Sequence, residues 1–311
     1  MNIHNQDIDK NKIIESVDVN QFYDKKNKFY NLLTNKYKKK KFPNYLNKLV
    51  QIEFDELKEK IHSNNLSDQE FILDSLFQGD IFLVKNVFKK NFLEKVKKHC
   101  VNLEMNTLPS FHKVINGVPN FRREINDKNN NRYAIKMVKN SFYFFPWNDD
   151  NLNIFVEINK IWGLTKIISG YHNDTFAKNL PENGVVDRLQ IVKYPFNVGK
   201  AELHQDPIEY QKFFISGYMS KKGIDFENGG VYCLDKNKLK NFDIEKYSNP
   251  GDVSFGFGSI IHGVDEPTQP KNINTKIFDP YQGRWWMGLY SMNSDYVIKR
   301  HTTSPVNLKS K

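Results

Sequence analysis

Cysteine is nearly absent from this 311-residue chain, which has Cys100 and Cys233 and no others. Two thiols so far apart give neither a disulfide framework nor the closely spaced ligand pairs of a zinc module. Long apolar runs are missing too. No stretch approaches the roughly 20 apolar residues that a membrane-spanning helix needs. The opening Met1-Asn2-Ile3-His4-Asn5-Gln6-Asp7 has no hydrophobic segment of the secretory kind. Acidic residues are in deficit, 36 against 46 Lys plus Arg, for a net charge of +10. That excess is spread along the chain, densest at residues 38–41, and no basic-aromatic stripe of the nucleic-acid-binding kind lies near the expected β-rich core. The expectation is a soluble, cytoplasmic protein with no membrane partner, for which nucleic acid is not the favoured ligand. Its oligomeric state is left open.

What the chain does have is aromatic side chains: 24 Phe and 15 Tyr, with aromatics at 14% overall. Disordered chains lack that content, so the bulk of this one is expected to fold around a substantial core.

Residues 1–75 read as a polar, helical N-terminal extension. Leu46, Leu49, Val50, Phe54 and Leu57 recur at helical spacing behind Pro43. Residues 76–311 read as one further domain. An apolar strand (80–88) leads into a helix (91–101), residues 105–150 look loop-rich, and a second helix occupies 153–169. From residue 185 onward short strands alternate with Gly, Pro and Asn turns, at 188–194, 213–219, 230–234, 253–257, 260–264 and 285–291. Helices first and many short strands after them predict an α+β chain with a β-sandwich or barrel core.

His204-Gln205-Asp206 stands out within that core. Residues i and i+2 of a strand share a face, so an imidazole and a carboxylate would project side by side. His262 ends the glycine-rich apolar run 255–261 and is the best third ligand. Two histidines and one carboxylate on one side of a metal leave positions open for other ligands, the arrangement suited to non-haem Fe(II) oxygenases.

The order of motifs resembles one known family. It runs from Arg188-Leu189-Gln190-Ile191-Val192-Lys193-Tyr194 through His204-Gln205-Asp206 to Glu227-Asn228-Gly229-Gly230-Val231-Tyr232. Gly251-Asp252-Val253, His262-Gly263 and Gly283-Arg284-Trp285-Trp286 complete it. This series is similar to that of the Fe(II)/2-oxoglutarate-dependent dioxygenases, most closely the phytanoyl-CoA dioxygenase-like branch. The resemblance spans about residues 76–300. It implies a double-stranded β-helix (jelly-roll, cupin-like) core with flanking helices, and iron held by His204, Asp206 and His262. It also implies 2-oxoglutarate and O2 as co-substrates, and hydroxylation or desaturation of an unactivated C–H with release of succinate and CO2.

The family's basic residue for the far carboxylate of 2-oxoglutarate corresponds to Arg284, whose guanidinium fork matches a carboxylate. It lies 22 residues after His262, about twice the family's usual gap, and Lys276 is the rival. Gln190, Tyr194 and Ser259 are candidate co-substrate contacts, with Trp286 as a pocket wall and Ser291 as a further carboxylate partner. A small-molecule substrate is expected, an anionic one if Arg122, Arg123, Lys136 and Lys271 sit on loops over the mouth. The alternatives are the same chemistry on a macromolecule, by protein hydroxylation or nucleic-acid demethylation, or a non-enzymatic jelly-roll module.

Overall fold

The computed structural model describes residues 8–237, 241–271 and 279–307. Helix α1 (Lys28–Thr34) starts at Asn27, whose side chain accepts the Phe29 N–H. Strand β1 (Leu49–Glu53) runs directly into α2 (Phe54–His62). Helix α3 (Leu66–Gln78) is capped by Asn65 and stops at Gly79. Gly79 has φ +98°, and a Cβ there would lie 2.5 Å from the Tyr45 carbonyl oxygen, so a glycine is required. Then follow β2 (Ile81–Lys85), α4 (Lys90–Asn106), β3 (Phe121–Ile125), β4 (Met137–Phe144) and α5 (Ile154–Ile168). The remaining strands are β5 (Val185–Tyr194), β6 (Lys200–Gln205), β7 (Phe213–Tyr218), β8 (Gly230–Leu234), β9 (Asn241–Asp243), β10 (Val253–Phe257), β11 (His262–Asp265), β12 (Arg284–Asn293) and β13 (Ser304–Pro305).

From β5 to β12 the chain crosses between two sheets. The larger has the order β1-β2-β10-β7-β12-β5-β4, with β3 on β4; the smaller has β6-β11-β8-β9, with β13 on β6. Thus β5, β7, β10 and β12 form one wall, and β6, β8, β9 and β11 the facing one. This is the jelly roll that the family resemblance implies, within the sandwich or barrel that the strand pattern predicts. The start of β4 also pairs with β6 and closes one side, through Met137 with Ala201 and Val138 with Lys200.

Strand period explains how the walls are filled. Along β12, Trp285, Met287 and Leu289 face outward into a core shared with the helices, which includes Leu57, Leu73, Val96 and Trp162. The alternate residue Trp286 turns inward, against Val192, Tyr194, Ala201 and Val264. Burial of both faces makes these strands read as near-continuous apolar runs, which is why they are visible in the sequence.

Two segments differ from expectation. Leu49–Glu53 is a strand, not part of a helix, and pairs in parallel with β2. Its five residues are too few to separate period 2 from period 3.6, and the true helix begins at Phe54. Residues 105–150 hold β3 and β4, a hairpin that continues the larger sheet through β5.

Candidate metal centre

Antiparallel pairing of β6 with β11 sets His204 opposite His262, with ring centroids 4.3 Å apart. The chain then leaves β6, and the Asp206 N–H donates to the Gly258 carbonyl at 2.8 Å, which turns the carboxylate toward both rings. Asp206 Oδ1 lies 4.0 Å from His204 Nε2, and Oδ2 lies 3.7 Å from His262 Nε2. One ligand atom from each of the three residues lies within 4.8 Å of the others. These separations are too long for hydrogen bonds and short enough for a shared ion.

The imidazoles are oriented for the task. His204 Nδ1 sits 2.6 Å from the Glu202 carbonyl oxygen, and His262 Nδ1 sits 2.8 Å from that of Ile260. A carbonyl can only accept, so each Nδ1 carries the proton and each Nε2 presents a lone pair. Burial, reinforced by the neighbouring His262, pushes the His204 pKa down to about 4, with Asp206 opposing. The ring is therefore held in the neutral form that binds metal. The donor set fits a divalent iron.

Thr303, just before β13, donates its hydroxyl to Asp206 Oδ1 at 3.1 Å. Sequence reasoning did not single it out, since no motif surrounds it. A hydrogen bond of this kind fixes a ligating carboxylate, and its loss typically costs about 10–100-fold in metal affinity. Thr303→Val is therefore expected to weaken Fe(II) binding about tenfold and Thr303→Ser to restore it, as read by anaerobic metal titration. Equal affinities for all three proteins would remove Thr303 from the site.

The cluster opens into a cavity of about 320 Å³ inside the jelly roll, small among ligand sites. Gln190 and Tyr194, both anticipated, line it, as does Trp286. Gln190 accepts from Arg188 Nη2 and donates to Ser141, each at 3.2 Å. Burial pushes the Tyr194 phenol up to about 12.

Other anticipated residues are placed elsewhere. Arg284 starts β12, is 1% exposed, and does not line the cavity. Its Nε and Nη2 lie 2.6 and 2.5 Å from Glu245 Oε1, and its guanidinium carbon 5.0 Å from the Tyr194 ring centroid. Ser259 donates to the Pro43 carbonyl and Ser291 to Asp187, and neither lines the cavity. Arg122 pairs with Glu104. Lys136 and Lys271 are not in the lining, and Lys276 lies outside the described residues.

The cavity has cations that the sequence reading passed over. Lys139 of β4 and Arg188 of β5 join Arg123 of β3 in the wall. None of the three makes an ion pair with a described residue. A pattern could have found Lys139: with Ser141 and Tyr143 it forms an i, i+2, i+4 series on one face of a strand.

No protein-family model and no curated protein match this chain. Solved structures resemble it at low identity. A full-length Neurospora crassa protein in complex with alpha-KG is 14% identical, covering 79% of this chain and 85% of that one, with a TM-score of 0.46. A Pseudomonas putida prolyl-4-hydroxylase is 9% identical over 72% of this chain and 97% of that one, TM-score 0.45. The rice dioxygenase for auxin oxidation is 10% identical over 78% and 82%, TM-score 0.40. The molecule's own fold and site define a jelly-roll protein with a candidate two-histidine, one-carboxylate metal centre. Among the described residues, no helix is long and apolar enough to cross a membrane.

Proposed function

We propose that the chain is a non-haem Fe(II)- and 2-oxoglutarate-dependent dioxygenase. It would hydroxylate or desaturate an unactivated C–H bond of a small, anionic metabolite and release succinate and CO2. The observation that carries this reading is the His204–Asp206–His262 cluster, with both Nε2 lone pairs and one carboxylate turned to a common point at the wall of a cavity inside the jelly roll. Three protein ligands leave room for a chelating keto acid and for O2. Bound iron and 2-oxoglutarate supply the oxidising chemistry; the chain supplies binding, orientation and exclusion of water.

His204 and His262 hold neutral Nε2 atoms toward the ion, and Asp206 supplies the negative charge. Phe214, with its ring 5.0 Å from that of His262, and Trp286 and Tyr290 give the cavity an aromatic wall beside the cluster. The far carboxylate of 2-oxoglutarate is assigned to the Tyr194 end of β5, where Arg284 is the cross-strand partner of Tyr194. Lys139 lies level with Tyr194 on the other side, one residue from the Asn140–Lys193 pair. Arg284→Met and Lys139→Met tell the two apart: the variant that loses 2-oxoglutarate affinity by equilibrium titration, with metal binding intact, identifies the anchor.

The whole reading is tested by incubating iron-loaded protein with 2-oxoglutarate and a cell metabolite extract. One succinate should form per 2-oxoglutarate consumed, with a product heavier by one oxygen, or lighter by two hydrogens, in the mass spectrum. Succinate formation no faster than in a protein-free control would sink it.

A further inference from the structure

The cavity carries more positive charge than the proposed chemistry consumes. Among the charged residues of its lining, Arg123, Lys139 and Arg188 are set against the single carboxylate of Asp206. A divalent metal and a doubly charged 2-oxoglutarate cancel each other, so their binding leaves this imbalance unchanged. All three cations are partly buried. Partly desolvated charge without a partner is costly, and the usual resolution is a counter-ion.

Two of these cations are held in a layered stack. The guanidinium carbon of Arg188 lies 5.0 Å from the Tyr143 ring centroid and 5.1 Å from that of Tyr290. That of Arg123 lies 5.0 Å from Tyr143 and 4.4 Å from Phe111. Tyr143 is thus shared by both arginines. The rings hold both guanidinium groups in place, and Arg123 is also hydrogen-bonded to Tyr133; a guanidinium edge matches an oxyanion with two oxygens. Arg188 commits one Nη to Gln190. The Nε atoms of Arg123 and Arg188 have no hydrogen-bond partner. Tyr143 registers the local charge: burial alone would raise its pKa, yet Arg123, Lys139 and Arg188 together lower it below the usual phenol value.

The stack is also at the reacting level of the barrel. Arg188 pairs across the sheet with Tyr290, two residues beyond the Gly288–Ser216 pair. Phe214, two residues beyond Ser216 on β7, shares that level and packs against His262. The Tyr194 end, assigned above to the far carboxylate of 2-oxoglutarate, lies six residues further along β5.

We infer that Arg123 and Arg188, clamped around Tyr143, form the recognition site for an oxyanion group of the substrate, so that the substrate is a small acid, carboxylic or phosphoric. This deepens the dioxygenase reading and rests on it. The group to be oxidised would lie between that anion and the metal.

The test uses full-length protein loaded with Co(II), which binds such ligands without supporting turnover, and saturated with 2-oxoglutarate. Malonate, inorganic phosphate and uncharged malonamide are then titrated by calorimetry, and the same titrations are run on metal-free protein. At least one anion should bind at least tenfold more tightly than malonamide, and the malonate and phosphate arms show which oxyanion is preferred. Arg123→Met and Arg188→Met should each weaken that anion at least tenfold with Co(II) and 2-oxoglutarate affinities unchanged, and Arg188→Lys should recover part of the loss. Malonamide binding as tightly as both anions overturns the inference, as does undiminished anion binding in the double Met variant. The wild-type comparison needs no variant, so misfolding of a substituted protein does not protect the idea. Loss of the Co(II) absorption bands would instead refute the metal centre itself, while the metal-free titrations still decide the oxyanion site.

Discussion

Asp206→Asn is expected to abolish tight Fe(II) binding and to reduce 2-oxoglutarate-dependent succinate formation to background, with the fold intact. The substitution preserves size and one acceptor oxygen, so the argument is about charge. Asp206 is the one carboxylate among the cavity's lining residues, and Lys139 and Arg188 both stand in its neighbourhood. With an amide there, a dication would have two neutral imidazoles as ligands and uncompensated positive charge around it. The carboxylate is the only anionic protein ligand for the divalent iron, so affinity should fall steeply when it is neutralised. Anaerobic iron titration with thermal denaturation of the metal-free protein as a fold control makes the measurement. Wild-type iron stoichiometry in Asp206→Asn would move the metal site elsewhere.

The largest stability effect is expected at Glu245, which belongs to none of the motifs but bonds to two motif residues, Arg284 and Val231. Its Oε1 receives Arg284 Nε and the Val231 N–H at 2.6 Å each, and Glu245 and Arg284 are 2% and 1% exposed. Burial opposes the Arg284 charge, but the Glu245 carboxylate outweighs it and the guanidinium pKa is raised. Removing one partner of such a pair strands the other. Glu245→Ala should cost about 3–5 kcal/mol of unfolding free energy, whereas removing both charges is often neutral. Chemical denaturation of Glu245→Ala against the Glu245→Ala/Arg284→Met double variant separates the two cases. If the double variant is no more stable than the single, the penalty lies in lost packing and not in a stranded charge. The backbone adds its own constraint here: Gly230 has φ +97°, and a Cβ on it would lie 2.7 Å from Glu245 Oε1.

The parts of this molecule that could be read from the chain were those with a short-range cause. The strands buried on both faces announce themselves as apolar runs, and β8 and β10 fall on the residues anticipated for them. His204 and Asp206 are legible because two residues along an extended chain share a face. Strand β4 was hidden because its inward face carries polar side chains. Lys139 and Ser141 stand where a core strand would place apolar side chains, and the surrounding Asn and Pro residues suggest loops. Arg123 was noted for its charge alone, since its place in the wall depends on the β3–β4 hairpin. The Arg284–Glu245 pair joins positions 39 residues apart, and no local pattern encodes such a meeting.

The pairing of β13 with β6 has a consequence for the order in which the site can be assembled. Pro305 stands opposite His204, and Thr303 reaches Asp206 across a sequence separation of 97 residues. A ribosome releases His204, Asp206 and His262 well before it releases Thr303. During synthesis the three ligands can therefore meet while the hydroxyl that fixes the carboxylate is still inside the exit tunnel. A released chain ending before Arg300 would have a complete ligand set with an untethered aspartate, and its metal capture should be weaker than that of the chain in which β13 closes on β6. Long-range pairings of this kind form late because loop closure comes before the contacts that reward it. Selective proteolysis of that last segment would in turn loosen the metal while leaving the barrel standing.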